Sequence, residues 1–540
     1  MVPRMIATLL SYEVERRTVG NKKTRDPTEE EERRYFKKRR HPLPQLRFSR
    51  EGQVDDARVR NMSNFCLLYP SCTLADIVDP VRNLASGHTL KDLKVETKRL
   101  LQQRIESAGL AEYQRETGDT NRWYWAAPLL LDRLNVRWKP SLDSWFCCDD
   151  QNEAPWDRRS YFRGSADQTT AREDHFAHLR ECYLDPNKAG LGAMPDPEHL
   201  ADVLADLALG SPAVVMLRSL GRLFPEQNAA RAMVGAFDGA DEFVNLFNKP
   251  EAIAAVRLGV AERTPYWQMV ARYCADGCLQ AVVDEFFHVL KDQNVDAAGA
   301  ISQLLSSVNI DTASINVDGL KEFREDRPKK IRCHYAVEFG SQRVETEDGG
   351  NRARDLREVF NSPFRPFVLA TTSIGQEGLD FHVYCRRIVH WNLPSNPIDL
   401  EQREGRINRY KGLVIRQFLA SKYGHMFGTE LAACEGDVWS RLFELADKEE
   451  RQAKGKCELV PYWHVDTNDI KIERVVPLYP YSSDQAKLIK ILKTLAVYRL
   501  AFGQPRQTEL VEHLLERQFS EEEMKAILDN LMIDLSPLRG

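Results

Sequence analysis

Long apolar runs are missing from this 540-residue chain, and no stretch is long enough to cross a bilayer as a helix. The short apolar segment Met5 to Leu10 soon meets Glu13 and Glu15 and lacks an A-x-A cleavage pattern, which argues against a secretory signal peptide. Charge of one sign is missing too. Lys and Arg number 75 against 80 Asp and Glu, for a net charge of −5, so binding nucleic acid would take a local basic groove and not a global field. The 11 cysteines are odd in number and scattered, with Cys147 and Cys148 adjacent and Cys274-x-x-x-Cys278 the one helical spacing. No paired C-x-x-C knuckle occurs, so no metal centre is expected and reduced thiols in a cytoplasmic protein are the expected state. What is present is ordinary for a folded protein: 43% hydrophobic and 29% charged residues, over a length that suits two to four domains.

The most informative stretch runs from Asn361 to Gly412. Within it, Asn396 suits a helix N-cap, Pro397 suits the first turn, and Asp399 and Glu401 favour the positive end of the helix dipole. A helix is therefore predicted from about Pro397 to Tyr410. Residues three and four apart share a helical face, so Gln402, Arg406 and Arg409 should project together, while Gly405 lets a phosphate or another backbone come close. Two planar, always-charged guanidinium groups on one face suit a polyphosphate, because phosphoryl transfer is helped mainly by positioning and charge stabilisation. The alternative is a solvated basic helix whose arginines pair with Glu401 and Glu404. Upstream, Phe367 to Ala370 and Arg387 to Trp391 are short apolar runs that predict buried parallel strands. Between them, Thr371 to Asp380 is a polar, glycine-bearing loop of the kind that contacts ligands at strand carboxyl ends.

The pair ATTSIGQEGLDF and WNLPSNPIDLEQREGRINR resembles motifs V and VI of superfamily-two helicases, most closely the Swi/Snf-type and related bacterial helicase-like proteins. The resemblance implies an α/β fold: a RecA-like parallel-sheet lobe, here interrupted by a large mainly helical insertion and followed by a small C-terminal helical domain. It implies that Thr371 and Thr372 meet phosphates of a tracked strand, and that Gly378 and Asp380 face the nucleotide and the cleft between lobes. Gln402, Gly405, Arg406 and Arg409 would lie at the phosphates of ATP bound with Mg2+, the two arginines acting as fingers. DNA is the expected partner by resemblance alone, with RNA left open by the residues.

An ATPase of this kind needs a phosphate loop, G-x-x-x-x-G-K-[ST], and an acidic pair that holds magnesium. Neither is found. Gly455-Lys456 is followed by Cys457 and lacks the earlier glycine. Asp284 to His288, DEFFH, imitates a DEAH box with one residue too many, inside a stretch from Tyr273 to Leu290 that reads as an amphipathic helix and not as the end of a strand. Apolar residues at 2, 5, 6, 9, 10 and 14 form a helical stripe that resembles the first helix of a second lobe. The first lobe is therefore expected as a separate polypeptide, or the frame as truncated or split. A non-catalytic nucleic-acid-binding or regulatory protein that kept the lobe fold is the competing reading.

These patterns divide the chain into a first lobe helix at 1–18, a charged linker at 19–50, a mainly helical insertion at 51–325, the rest of the lobe at 326–450 and an accessory helical domain at 451–540. In the linker region, Glu29 to Glu32 precede Lys37 to Arg40, which suits a solvated segment or a phosphate-binding arm. The aromatics Trp123, Tyr124, Trp125, Trp138, Trp145 and Trp156 suit core packing or base stacking. From 196 to 310 the apolar spacing is helical, as at Leu200, Val203, Leu204 and Leu207, and Ser211-Pro212 predicts a new helix start. IRCHYAVEF, Ile331 to Phe339, alternates like a strand returning to the sheet. Further helices are predicted over 485–502, 508–517 and 521–531.

Overall fold

The computed structural model describes residues 45–46, 62–85, 89–147, 166–260, 264–308, 313–317, 329–333, 357–364, 367–370, 380–424, 436–454, 458–465, 469–478, 481–500, 506–517 and 519–531. The helix expected at the amino terminus, most of the charged linker, and Trp156 lie outside these residues. The chain divides into two compact units, one of residues 1–309 with 426–438 and one of 310–425 with 439–540.

The described part of the first unit is helical. Its elements include α1 (Cys72–Ile77), α2 (Trp123–Arg133), α3 (Pro197–Gly210), α4 (Pro212–Leu223), α5 (Ala229–Phe247), α6 (Tyr266–Asp276) and α7 (Leu279–Asp292). Helices α3 and α4 meet at a 49° bend and are buried almost throughout. Among the described residues no single helix is long and apolar enough to cross a membrane, although this bent pair passes by length and composition. Proline stands at the first position of both helices, at Pro212 as the sequence predicts. Ser211, however, turns its hydroxyl to the Cys66 carbonyl at 3.0 Å and does not cap α4. Gly210 ends α3 against α6: a Cβ there would meet the Ala271 carbonyl oxygen at 2.0 Å. The two helices thus approach at a distance that only glycine allows.

The dense aromatics pack inward. Trp123, Trp125 and Trp145 are buried, and Trp145 lies edge-on to Phe146 and Phe176 with ring centroids 4.7 and 5.3 Å apart. Those three rings are unavailable for stacking on bases. Asp132, at the end of α2, accepts hydrogen bonds from the Tyr69 hydroxyl (2.7 Å), the Ser71 hydroxyl (3.1 Å) and the main-chain N–H groups of Cys72 (3.1 Å) and Thr73 (2.7 Å). It thereby caps α1 from a distant part of the chain. Burial raises its carboxyl to about 6 against the pull of those donors.

The stretch around DEFFH is two helices, not one. Cys278 takes a left-handed backbone (φ 48°) between α6 and α7 and breaks the expected run. Asp284 sits inside α7, buried, and accepts from Ser219 (2.6 Å), Gln280 (3.0 Å) and Arg222. Its carboxylate is committed to packing a helix–helix contact.

In the second unit, β1 (Ala313–Val317) and β2 (Lys329–Cys333) form an antiparallel pair, and β3 (Arg387–Val389) runs parallel to a strand contributed by Glu473–Val475. Between these last two come α8 (Pro397–Gly405), α9 (Leu413–Tyr423) and α10 (Val438–Lys454), and the second strand of the parallel pair is β4. Helices α11 (Asp484–Leu500), α12 (Gln507–Glu516) and α13 (Glu521–Leu531) follow, close to their predicted spans.

The sheet departs from expectation in two places. Strand β2 pairs with β1 in a sheet of its own, and among the described residues it does not join β3. Residues 367–370 are no strand: Phe367 is 77% and Val368 84% exposed. An apolar run becomes a strand only beside a hydrogen-bonding neighbour, and none pairs with it among the described residues. In place of the expected parallel sheet, the described residues of this unit are mostly helical and carry one short parallel pair and one separate antiparallel pair.

Two small apolar clusters fix α8. Leu393, Leu400 and Ile491 bury its middle against α11. Phe360, Phe381 and Ile407 bury the chain just beyond its end, with Ile388 of β3 packed against them.

Candidate functional site

Helix α8 begins as its sequence dictates. The Asn396 side chain accepts from the Ile398 N–H at 3.0 Å, Pro397 holds the first position, and Asp399 lies in the first turn. It ends five residues earlier than predicted. The helical ladder stops at Gly405 because the Arg406 carbonyl accepts the Phe381 N–H at 2.9 Å, and Lys411 takes a left-handed backbone (φ 49°). Gln402 and Arg406 remain one helical turn apart, with Arg406 as the C-cap in helical conformation. Arg409 lies beyond the helix, so its placement is set by the turn and not by helical spacing.

That turn brings Arg409 to Asp380, Nη2 to Oδ1 at 3.3 Å, with both side chains partly exposed. The Asp380 carbonyl is held by the Asn361 amide at 2.8 Å. Thr371, Thr372 and Gly378 lie outside the described residues. Gln402 is exposed.

Arg406 differs from Arg409. Among the described residues its guanidinium has no ion-pair partner, and its Nε is buried without a hydrogen-bond acceptor, as is that of Arg409. The glutamates that could have neutralised it from its own helix are engaged elsewhere: Glu401 pairs with Arg499, and Glu404 takes the fork of Arg474. Beside it, a Cβ built on Gly405 would meet nothing within 4 Å. A buried donor left without an acceptor is costly, so this arrangement suits an anion that arrives from outside the lobe. A polyphosphate fits that description in charge, in acceptor atoms and in the space left at Gly405.

Several residues that shape the site gave no signal in the sequence. His390, at the end of β3, is buried and contacts Glu404, Nε2 to Oε1 at 3.2 Å. Burial by itself would raise the Glu404 carboxyl, but hydrogen bonds from His390 and Arg474 outweigh it and bring the group down to about 2. The His382 imidazole, between Asp380 and Val383 in sequence, is pushed down mainly by burial, with Arg416 and Arg409 adding to the shift and Asp380 opposing it. Arg416 is buried and donates to the carbonyls of Lys411 (2.9 Å) and Val383, fastening the turn to the segment after Asp380.

A depressed carboxyl contributes stability that is fully present above its unfolded value and is lost as pH falls through the folded one. Glu404→Gln should therefore lower the stability of the second unit at pH 6. The deficit against wild type should shrink as pH falls from 4.5 toward about 2, the interval set by the shift. Denaturant titrations at stepped pH check this, and a deficit that stays constant across that interval would contradict it.

Residues 333–411, which contain Asp380, β3, α8 and the arginine turn, match the family model of the helicase conserved C-terminal domain. No curated protein and no solved structure matches the chain. Over that stretch the chain is similar to the C-terminal domain of helicases.

Proposed function

We propose that this chain supplies the second lobe of an ATP-dependent DNA helicase or translocase, of the superfamily-two, Swi/Snf-like type. The phosphate loop and magnesium-holding acids would then come from a first RecA-like lobe outside this sequence. The observation that carries the reading is Arg406: its Nε is buried without a hydrogen-bond acceptor and its guanidinium makes no ion pair among the described residues, at the end of a capped helix inside the matched stretch.

ATP with Mg2+ would supply the phosphoanhydride whose cleavage drives the cycle. Arg406 would donate to phosphate oxygens across the cleft, where a positioned guanidinium stabilises the charge that develops during transfer. Arg409 would leave or share Asp380 to do the same, with Gln402 and Gly405 beside it and Gly378 and Asp380 facing the nucleotide. Thr371 and Thr372 would hydrogen-bond to phosphates of the DNA strand, and closure of the lobes would carry that loop along the strand.

The test is reconstitution. The purified chain, a candidate first lobe encoded by the adjacent upstream frame, and DNA are combined, and phosphate release is followed. Turnover that needs all three supports the proposal, and RNA in place of DNA tells the partner. Failure of every such mixture would favour the competing reading, a regulatory nucleic-acid-binding protein with no hydrolysis of its own, to which the missing phosphate loop already points.

A further inference from the structure

The turn that carries Arg406 and Arg409 is fastened at both ends by residues far downstream. At its start, Arg474 of β4 grips Glu404 with two nitrogens, Nη2 to Oε2 at 2.7 Å and Nε to Oε1. His390 joins the same carboxylate from below and donates its main-chain N–H to the Val475 carbonyl at 2.9 Å. The Glu404 carbonyl in turn accepts the N–H groups of Ile407 (3.1 Å) and Asn408 (3.2 Å), the first residues after Arg406. At its far end, Lys411 donates its N–H to the Tyr462 carbonyl at 2.8 Å. The Lys411 ammonium lies over the rings of Phe443 (4.7 Å), Tyr410 (5.3 Å) and Tyr462 (5.8 Å). Tyr462 stacks on Phe443 and on Tyr410, both pairs with centroids 5.8 Å apart. A cation enclosed by several rings, with its main chain hydrogen-bonded to the same segment, is a firm attachment.

We propose that Arg474, together with Phe443 and Tyr462 around Lys411, positions the arginine turn, with the Arg474 grip and the aromatic enclosure as its two points of hold. It rests on the proposed function for what the turn is aimed at, but not for the holding itself. Arg474 and Lys411 touch no nucleotide in this account; they act through Glu404 and the main chain. Their effect follows from geometry: displacing a catalytic group by about 1 Å can cost about a hundredfold in rate. Arg474→Lys keeps the charge and loses the two-pronged grip, so it separates geometry from simple charge balance.

Hydrogen exchange on the full chain tests the hold directly. In Arg474→Ala, amides of residues 403–413 should exchange at least about tenfold faster, while those of α3 and α4 in the other unit keep their rates. Lys411→Met, which retains an apolar stem among the rings, should loosen the same stretch. Unchanged exchange at 403–413 in both variants would overturn the proposal. In the reconstituted motor, Arg474→Ala should lower kcat by about a hundredfold with KM for ATP within about twofold, and Arg474→Lys should fall between. Faster exchange with unchanged kcat would also overturn it. If the wild-type mixture does not hydrolyse ATP, the motor reading fails, and the exchange result alone decides whether the turn is held as described.

Discussion

Arg406→Ala should cost at least about a thousandfold in turnover of the reconstituted motor, because an arginine finger contributes about 10³ to 10⁵ in rate. The size of the effect follows from the state of the side chain. Arg406 supports no ion pair among the described residues, so its removal breaks no ion pair there and should leave the fold near wild-type stability. Loss of turnover with retained stability is thus the expected signature. Arg406→Lys should recover little, since an ammonium cannot present two parallel donors to a phosphate. Arg409→Ala should be less specific in its effect: it also releases Asp380, to which Arg409 is bound at 3.3 Å, and should loosen the segment around that residue. Wild-type hydrolysis in Arg406→Ala would defeat the assignment of this residue.

The largest stability effect is expected in the other unit, at Arg222→Ala. Arg222 is buried, bonded to Asp284 and to Asp79 at 2.6 Å, and removing one member of a buried ion pair costs about 3–5 kcal/mol because the remaining charge is stranded. Burial already raises the Asp284 carboxyl, with Arg222 the main influence pulling it down. Replacing both partners by apolar residues, as in Arg222→Met with Asp284→Leu, should recover a good part of the loss. Unfolding in urea followed by tryptophan emission reports on this unit, where Trp123, Trp125 and Trp145 are buried. A loss below about 1 kcal/mol for Arg222→Ala would place the pair among weak surface contacts and contradict the account. The same experiment bears on function, because an aspartate held by this network is a structural group and no stand-in for a magnesium ligand.

What the sequence disclosed was mostly local. The Asn396 cap and Pro397 start of α8 depend on neighbours in the chain, and both stand where their chemistry puts them. So do the helices of the first unit, whose apolar period of 3.6 residues needs no knowledge of partners. The end of α8 was illegible because a tertiary bond sets it: the Phe381 N–H takes the Arg406 carbonyl that the next helical turn would have used. The break at Cys278 does carry a local signal, Gly277 at the C-cap of α6, which the apolar period on either side of it outweighs in a reading of the sequence. Phe367 to Ala370 misled because a period-free apolar run says nothing about whether a neighbouring strand exists. At the candidate site, the arginines and Asp380 were visible as a motif. Arg474 was not, since it lies 70 residues beyond Glu404 in a segment with no pattern of its own, and only the parallel pairing of β3 with β4 brings the two together.

The most direct measurement is the position of the Arg406 guanidinium in the assembled complex of this chain, its first lobe, DNA and ADP with a fluoroaluminate mimic of the transferring phosphate. At least one Arg406 nitrogen is expected at hydrogen-bond distance, about 2.7–3.2 Å, from the mimic. A closed, nucleotide-loaded complex in which Arg406 instead pairs within its own lobe, or points to solvent, would contradict it.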